Sequence, residues 1–478
     1  MNKKQAFYFS LGPLVTAAVS IVTVPIIAWF YSQEDVGKFS LYQTITGFVL
    51  LVVTFGLDQA FVREYHEVKD RAKLLIIAFL PSLVFLTVLL PPFILFRESI
   101  TSYAMGSSTG LSAVSLYFSF FLMLVLRFVS LVVRMREDGK VYSLIQVVPK
   151  ILFLAMVLIT FCFSLRRDAD TLVLANVVAL FVISVFVVAF YRREIFVAIR
   201  SIEFGRDDLE YLIVILKYSL PLAGVGLIFW GLSGVERVLL KEMSSYQELA
   251  LYSVSASFAS VAMIFQSVFS VVWSPLVYRW SKDLDGRKKI SRAIKLVSII
   301  VLLLWSFTGA AAYFSIFFLP EKYALVRFIM LSAIAYPFLY TLSEATSVGI
   351  NLMRQTRFSF YSTAISVLVN VILGILLIKP FGALGASVSS SIAFLCFFVL
   401  KNIAAFLIYQ REEFLRSWVV IITLVLLGLT PLFAMSDLIF TLFVVLFFVV
   451  IYLYRREMLL YYRWCRIWRK RTRRFSSI

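Results

Sequence analysis

The chain is short of the residues on which most soluble enzymes rely. It has one histidine, His66, and three cysteines, Cys162, Cys396 and Cys465, in 478 residues. The cysteines are far apart and form no CxxC or zinc-ligand spacing, so neither a disulfide framework nor a metal site is expected. His66 sits among charged neighbours and reads as a solvated loop side chain, with generic pH sensing as the alternative. Charged residues make up only 15% of the total. No Walker sequence (GxxxxGKS or GxxxxGKT) occurs, which excludes ATP hydrolysis by that route, and no HExxH zinc-protease helix occurs. The longest segment expected on the outer side runs from about Arg97 to Ser112. That leaves no domain to hold a nucleotide-sugar donor, and an enzyme is not expected.

What the chain does have is apolar length. Hydrophobic residues make up 61% of it, and its mean hydropathy is +0.93. Runs of about 20 apolar residues, enough to cross a ~30 Å hydrocarbon core, recur from end to end. The pattern predicts an all-α polytopic membrane protein of about 14 transmembrane helices. They fall near 6–31, 40–62, 73–96, 113–134, 144–164, 171–191, 212–240, 248–277, 293–318, 327–350, 358–378, 383–409, 416–434 and 438–454. Few charges and short polar connections fit helices and not a β-barrel. The first stretch, Ala6 to Tyr31 behind Lys3 and Lys4, is too long for a signal-peptide core and reads as the first span.

The chain carries 46 Lys and Arg against 27 Asp and Glu, a net charge of +19. In a soluble protein this would point to nucleic acid. Here membrane topology explains it, and no nucleic-acid partner is expected. With the N-terminus in the cytoplasm, inner segments hold about 33 basic residues, outer segments about 9, and about 4 lie within spans. The most basic inner loop is Arg279–Lys295; Arg166 and Arg167 on the outer side are the main exception, balanced by Asp168 and Asp170. Both termini are then cytoplasmic.

The inner loop from about Arg192 to Tyr211 divides the chain. An N-terminal six-helix lobe spans 1–200 and a C-terminal six-helix lobe 201–410. Two additional helices occupy 411–454 and a basic-aromatic cytoplasmic tail 455–478. The lobes resemble each other weakly: Tyr8 to Leu14 opens span 1 much as Tyr218 to Leu222 opens span 7, and Phe39-Ser40-Leu41-Tyr42 matches Leu251-Tyr252-Ser253. Six spans per lobe make this a parallel repeat, the kind transporters build around a central site; chance similarity of apolar sequence is the competing explanation. In the tail, Leu460, Trp464 and Trp468 would share a helical face between cations. That suits a segment lying in the inner headgroup layer on anionic lipid, at ~1 kcal/mol per cation.

Ionisable groups inside a bilayer are costly, so each is a candidate for function. Glu236 and Arg237 lie near the outer end of span 7. Arg237 would meet a substrate anion, and Glu236 would hold it or gate; a structural ion pair is the plainer alternative. Arg127 in span 4 either snorkels inward or serves as a second anion-binding group. Lys150, a cavity candidate at the start of span 5, and Lys217 also suit snorkelling anchors near the inner surface. Asp58 and Arg63 end span 2 and could pair with an inner loop. Glu344 shares a face with Tyr336, Tyr340, Ser347 and Asn351 beside Pro337, a pattern that suggests the wall of a water-filled cavity next to a kink. Glu344, Tyr340, Pro337 and Asp58 are thus the coupling or gating candidates, with a helix-packing hydrogen bond as the alternative for Glu344. Ser253, Ser257, Ser260 and Ser267 form a stripe on span 8 that close helix packing explains best.

Several segments resemble the Wzx-type polysaccharide flippases of the MOP exporter superfamily, to which the MATE antiporters also belong. They are Tyr31-Ser32-Gln33-Glu34-Asp35-Val36-Gly37-Lys38-Phe39-Ser40, then Phe55-Gly56-Leu57-Asp58-Gln59-Ala60-Phe61-Val62-Arg63-Glu64-Tyr65. After these come Leu216-Lys217-Tyr218-Ser219-Leu220-Pro221 followed by Glu236-Arg237, and Gln355-Thr356-Arg357, Asn370 and Leu377 to Ser387. The family often has Asp where Glu236 stands. The resemblance covers roughly residues 1–410, and the extra pair of spans is similar to the 14-span members. It implies an inner-membrane carrier of undecaprenyl-diphosphate-linked oligosaccharide for O-antigen or capsule assembly. The polysaccharide polymerase and chain-length proteins would be its partners. No cofactor is implied beyond a coupling cation, H+ or Na+. A MATE-like cation-coupled antiporter is the main alternative, and a polysaccharide polymerase or ligase a more distant one.

Overall fold

The computed structural model describes residues 3–163, 166–192, 205–353, 355, 357–408 and 415–475. Their regular structure is entirely helical. The first half comprises α1 (Lys3–Phe30), α2 (Gln33–Val53), α3 (Leu57–Glu64), α4 (Arg71–Val88), α5 (Leu90–Leu95), α6 (Arg97–Met105), α7 (Gly110–Met135), α8 (Gly139–Cys162) and α9 (Ala169–Phe190). The second comprises α10 (Arg206–Met243), α11 (Tyr246–Trp280), α12 (Gly286–Ala311), α13 (Val326–Ala333), α14 (Ala335–Thr346), α15 (Val348–Leu352), α16 (Arg357–Ile408), α17 (Leu415–Leu429) and α18 (Leu438–Phe475). Helix starts follow the polar residues between apolar runs. Ser32, Asp70, Thr109, Asp138, Asp168 and Ser245 each accept a hydrogen bond from a backbone N–H of the first turn.

Among the described residues, twelve helices or groups of consecutive helices are long and apolar enough to cross a membrane. One of them, α16, is two helices joined at Gly382, whose φ of 52° and ψ of −129° break the axis. With those counted apart and the shorter apolar helix Ser417–Leu432 included, about 14 crossings result, matching the hydropathy pattern.

Four boundaries differ from the sequence reading. Span 2 ends at Val53, because Phe55 and Gly56 both take positive φ and α3 starts a new direction. Gly56 lies so close to the Ser219 carbonyl that an added Cβ would stand 2.4 Å from it. The segment after Arg97 is helical, as α6. Span 10 is broken into α13, α14 and α15; Pro337 supplies no N–H to the Ala333 carbonyl, and the first break falls at Ile334. The last helix continues unbroken through residue 455 to Phe475.

Packing sets the position of the site. α1 lies along α8, α10 along α16, and α2 crosses α11. α12 packs on α18, with Gly309 pressed against the Phe443 ring. The helix ends near Arg71, Arg136, Arg279 and Lys288 make one face basic, and the ends on the opposite face are lightly charged in net terms.

Candidate functional site

α1, α2, α8, α10 and α11 enclose a cavity of about 340 Å³. Two cations line it, Lys150 from midway along α8 and Arg237 from α10. Around them stand hydroxyl and amide groups, including Thr23, Gln43, Thr44, Ser233 and Ser257, and no Asp or Glu is among the lining residues. Among the described residues neither cation forms an ion pair or a hydrogen bond, although the Glu236 carboxylate lies within electrostatic reach of Arg237. Arg237 stands 5.8 Å from the centre of the Tyr252 ring, a cation–π contact.

Glu236 faces elsewhere, as adjacent residues on a helix point about 100° apart. It is fully buried. Its Oε1 accepts from Asn370 Nδ2 at 2.7 Å, and the same nitrogen donates to the Leu232 carbonyl at 3.2 Å. Glu236 therefore leans on α16 and does not hold Arg237. Glu236 Oε2 and Asn370 Oδ1 are both buried without a partner.

Lys150 is not an anchor at a helix start: Asp138 caps α8 well before it, which carries Lys150 into the interior. Lys217 is exposed. Arg127 does not line this cavity. Its Nε donates to Asp58 Oδ2 at 3.0 Å and its Nη2 bonds the same oxygen. Asp58 thus pairs with α7 and not with an inner loop; its side chain is 7% exposed against 40% for Arg127. Removing one partner of a buried pair strands the other. Asp58→Asn is expected to lower stability by about 2 kcal/mol, below the ~3–5 kcal/mol of a fully buried pair because Arg127 is partly solvated. Asp58→Asn/Arg127→Met should recover part of the loss in thermal unfolding in detergent.

Glu344 accepts a hydrogen bond from Ser270 Oγ, and Lys401 lies within its electrostatic reach. Lys401, which rests 4.8 Å from the Phe397 ring, is the charge that sequence reasoning passed over; a lone lysine inside the apolar run 383–409 was the available signal. Tyr336 and Tyr340 pack on Phe394 and Phe397, with centroids 4.3 and 6.1 Å apart. That face of α14 packs as an aromatic seam against α16 in this conformation. The serine stripe divides: Ser253 and Ser257 line the cavity and Ser260 and Ser267 do not, though Ser257, Ser260 and Ser267 all bond to carbonyls of their own helix. The letters GxSxG occur at Gly106–Gly110, with Ser108 at their centre, in the link from α6 to α7. A nucleophile elbow needs a strand before the turn, and here a helix precedes it.

The turn between α1 and α2 closes the lightly charged face. Trp29 Nε1 donates to the Phe318 carbonyl at 3.0 Å, Gln33 Nε2 to the Lys322 carbonyl at 2.7 Å, and Lys322 Nζ to the Tyr31 carbonyl at 2.6 Å. Toward the basic face, Lys73 pairs with Asp208 at 2.6 Å and Tyr211 donates to Glu64 at 3.3 Å.

Known proteins of this architecture are membrane transporters. The structure is similar to the lipid II flippase MurJ in its inward closed conformation, at TM-score 0.64 and 15% identity over 95% of this chain and 98% of that one. It is similar to the Vibrio cholerae MATE transporter VcmN D35N mutant at TM-score 0.54 and 14% identity, covering 88% and 95%. A MOP superfamily transporter from Pyrococcus furiosus, described as having a binding pocket of reverse polarity, gives TM-score 0.51 and 14% identity, covering 86% and 97%. At these identities the likeness is one of fold. No curated protein sequence matches. A family model described as "Polysaccharide biosynthesis protein" matches residues 3–281. With more than half of its length matched, the chain belongs to the polysaccharide biosynthesis protein family, on the fold of the MOP transporters.

Proposed function

We propose that the protein flips undecaprenyl-diphosphate-linked oligosaccharide from the inner to the outer leaflet of the bacterial cytoplasmic membrane, for O-antigen or capsule assembly. The observation that carries this reading is the pairing of Lys150 and Arg237 in one cavity without a carboxylate, among hydroxyl and amide groups. Two unpaired cations suit a diphosphate, and charge-assisted contacts offset the water it gives up. Hydroxyls and amides suit sugar. A carrier of cationic drugs would need acidic groups at that place. Deleting the gene should make lipid-linked oligosaccharide accumulate on the inner leaflet, and re-expression should clear it. Normal display of surface polysaccharide in the deletion strain would refute the reading.

The motion is alternating access between lobes 1–200 and 201–410. Ser40 and Ser253, which occupy matching places in the two halves, meet through their hydroxyls, a contact that suits a parallel repeat about a central axis. The basic face is cytoplasmic, both termini included. The tail prolongs the last helix to Phe475, so its first cations, Arg455 and Arg456, meet anionic lipid at the inner headgroup layer; the side chains from residue 460 onward fall outside the described set. The polymerase and chain-length proteins act downstream.

Coupling is carried by Glu236 and Asn370. Two buried acceptor oxygens that lack a well-placed donor, with the Ser390 hydroxyl in reach of Glu236, suit a proton on Glu236 or a monovalent cation. Glu236→Gln keeps the shape and removes the charge. It is expected to make flipping in proteoliposomes insensitive to an imposed H+ or Na+ gradient, at a rate below the gradient-driven wild type. A variant that still responds fully to the gradient would remove Glu236 from this role and leave Glu344 as the coupling carboxylate.

A further inference from the structure

A second cavity lies outside the first, on the flank of the bundle near the lightly charged face. It measures about 600 Å³ and runs between α4–α5 and α7, with Leu83 and Phe93 on one wall and Tyr117 and Phe121 on the other. It shares no lining residue with the central cavity. The groove is built into the backbone. Pro91 and Pro92 carry no N–H, so the carbonyls of Thr87 and Val88 have no donor four residues on; α4 stops and α5 restarts. The Tyr117 hydroxyl donates to the Leu86 carbonyl, which pins α7 beside the interruption, and the Phe93 and Tyr117 rings stand 5.0 Å apart.

One cation closes the end of this apolar trough. Arg97 lines it, and the charge contact it makes is to its neighbour Glu98 at 3.8 Å, with the two side chains 57% and 73% exposed. An exposed pair at that distance holds Arg97 weakly, so its guanidinium fork is available for a phosphate, which it fits with two parallel hydrogen bonds.

We propose that this groove binds one glycerophospholipid, an acyl chain lying between α4–α5 and α7 and the phosphate on Arg97. An apolar hollow at hydrocarbon depth gives water no polar partners, and left empty it forfeits the contacts of every side chain lining it. From Leu83 to Arg97 the wall runs ~20 Å at 1.5 Å per residue, close to the ~15 Å of one leaflet, half the hydrocarbon core. An acyl chain is one leaflet long. A polyprenyl chain several times longer would lie mostly outside. The site is independent of the transport reading.

Native mass spectrometry of the full-length protein, released from detergent with added phosphatidylglycerol, tests this. Two variants leave the fold alone: Arg97→Ala on the surface, and Gly110→Leu, since a Cβ on Gly110 meets nothing within 4 Å and the added side chain grows into the groove it lines. The wild type is expected to retain one lipid, and each variant to retain at least fivefold less at unchanged helicity by circular dichroism. Equal retention by wild type and both variants would overturn the proposal, and so would displacement of phosphatidylglycerol by an equimolar polyprenyl phosphate.

Discussion

Arg237→Ala and Lys150→Ala are each expected to cut the flipping rate by about 10- to 100-fold. A hydrogen bond to a charged group contributes ~1.5–3 kcal/mol, and each 1.4 kcal/mol is about tenfold. Losing one such contact from the bilayer-crossing state therefore gives the stated range. The two cations converge on one cavity and would grip the same head group, so the double variant should fall short of the product of the single effects. Arg237→Lys separates charge from geometry. It keeps a positive group but loses the planar fork, and a loss of only a few-fold is expected. Protein level and thermal stability should stay near wild type, because neither side chain forms an ion pair or hydrogen bond with another described residue and Arg237 gives up only its contact with the Tyr252 ring. The measurement is scrambling of a fluorescent lipid-linked oligosaccharide in proteoliposomes. Wild-type rates in the double variant would remove the cavity from the transport path.

The crossings were legible in the sequence because a span is a local property: twenty apolar residues and a capping group define it wherever the rest of the chain goes. The site was legible only in part. Arg237 stood out as a charge in an apolar run. Its neighbour Glu236 stood out equally, but its partner Asn370 lies 134 positions away, and nothing local couples the two. Asp58 and Arg127 were read as separate candidates because their pairing bridges α3 and α7, 69 positions apart. Lys150 was misplaced for a local reason. Hydropathy starts the span near 144, while Asp138 caps the helix earlier, and that shift moves Lys150 from the interface to the interior. The polar face of α14 misled for another reason. A stripe of Tyr and Glu specifies which residues share a face but not what that face meets, and here Phe394 and Phe397 cover it.

Gly37→Val is expected to hold the lightly charged face open and abolish flipping. A Cβ at Gly37 would stand 2.0 Å from the Tyr246 carbonyl oxygen and 2.7 Å from its carbon. These are backbone atoms at the start of α11, so no side-chain rotation relieves the clash and the ends of α2 and α11 must part. The three hydrogen bonds that close this face, from Trp29, Gln33 and Lys322, all run to or from the turn just before Gly37. Displacing that turn breaks them together. Each is worth ~0.5–1.5 kcal/mol net, so Gln33→Ala or Lys322→Ala alone should shift the open fraction only a few-fold. Gly37→Val should shift it to near completion, since moving a two-state balance from 1:99 to 99:1 takes ~5.5 kcal/mol, within reach of three lost bonds plus a steric block. The readout is a thiol at Ser233→Cys, which lines the cavity, in a background with Cys162, Cys396 and Cys465 all replaced by serine, so that no native thiol competes for the label. A membrane-impermeant maleimide added from the lightly charged side should label the Gly37→Val protein at least tenfold faster than its parent. Under alternating access the same variant should be labelled more slowly from the basic side. Faster labelling from both sides would identify Gly37 as a packing residue, and unchanged labelling with wild-type flipping would show that the α2–α11 contact does not gate the cavity.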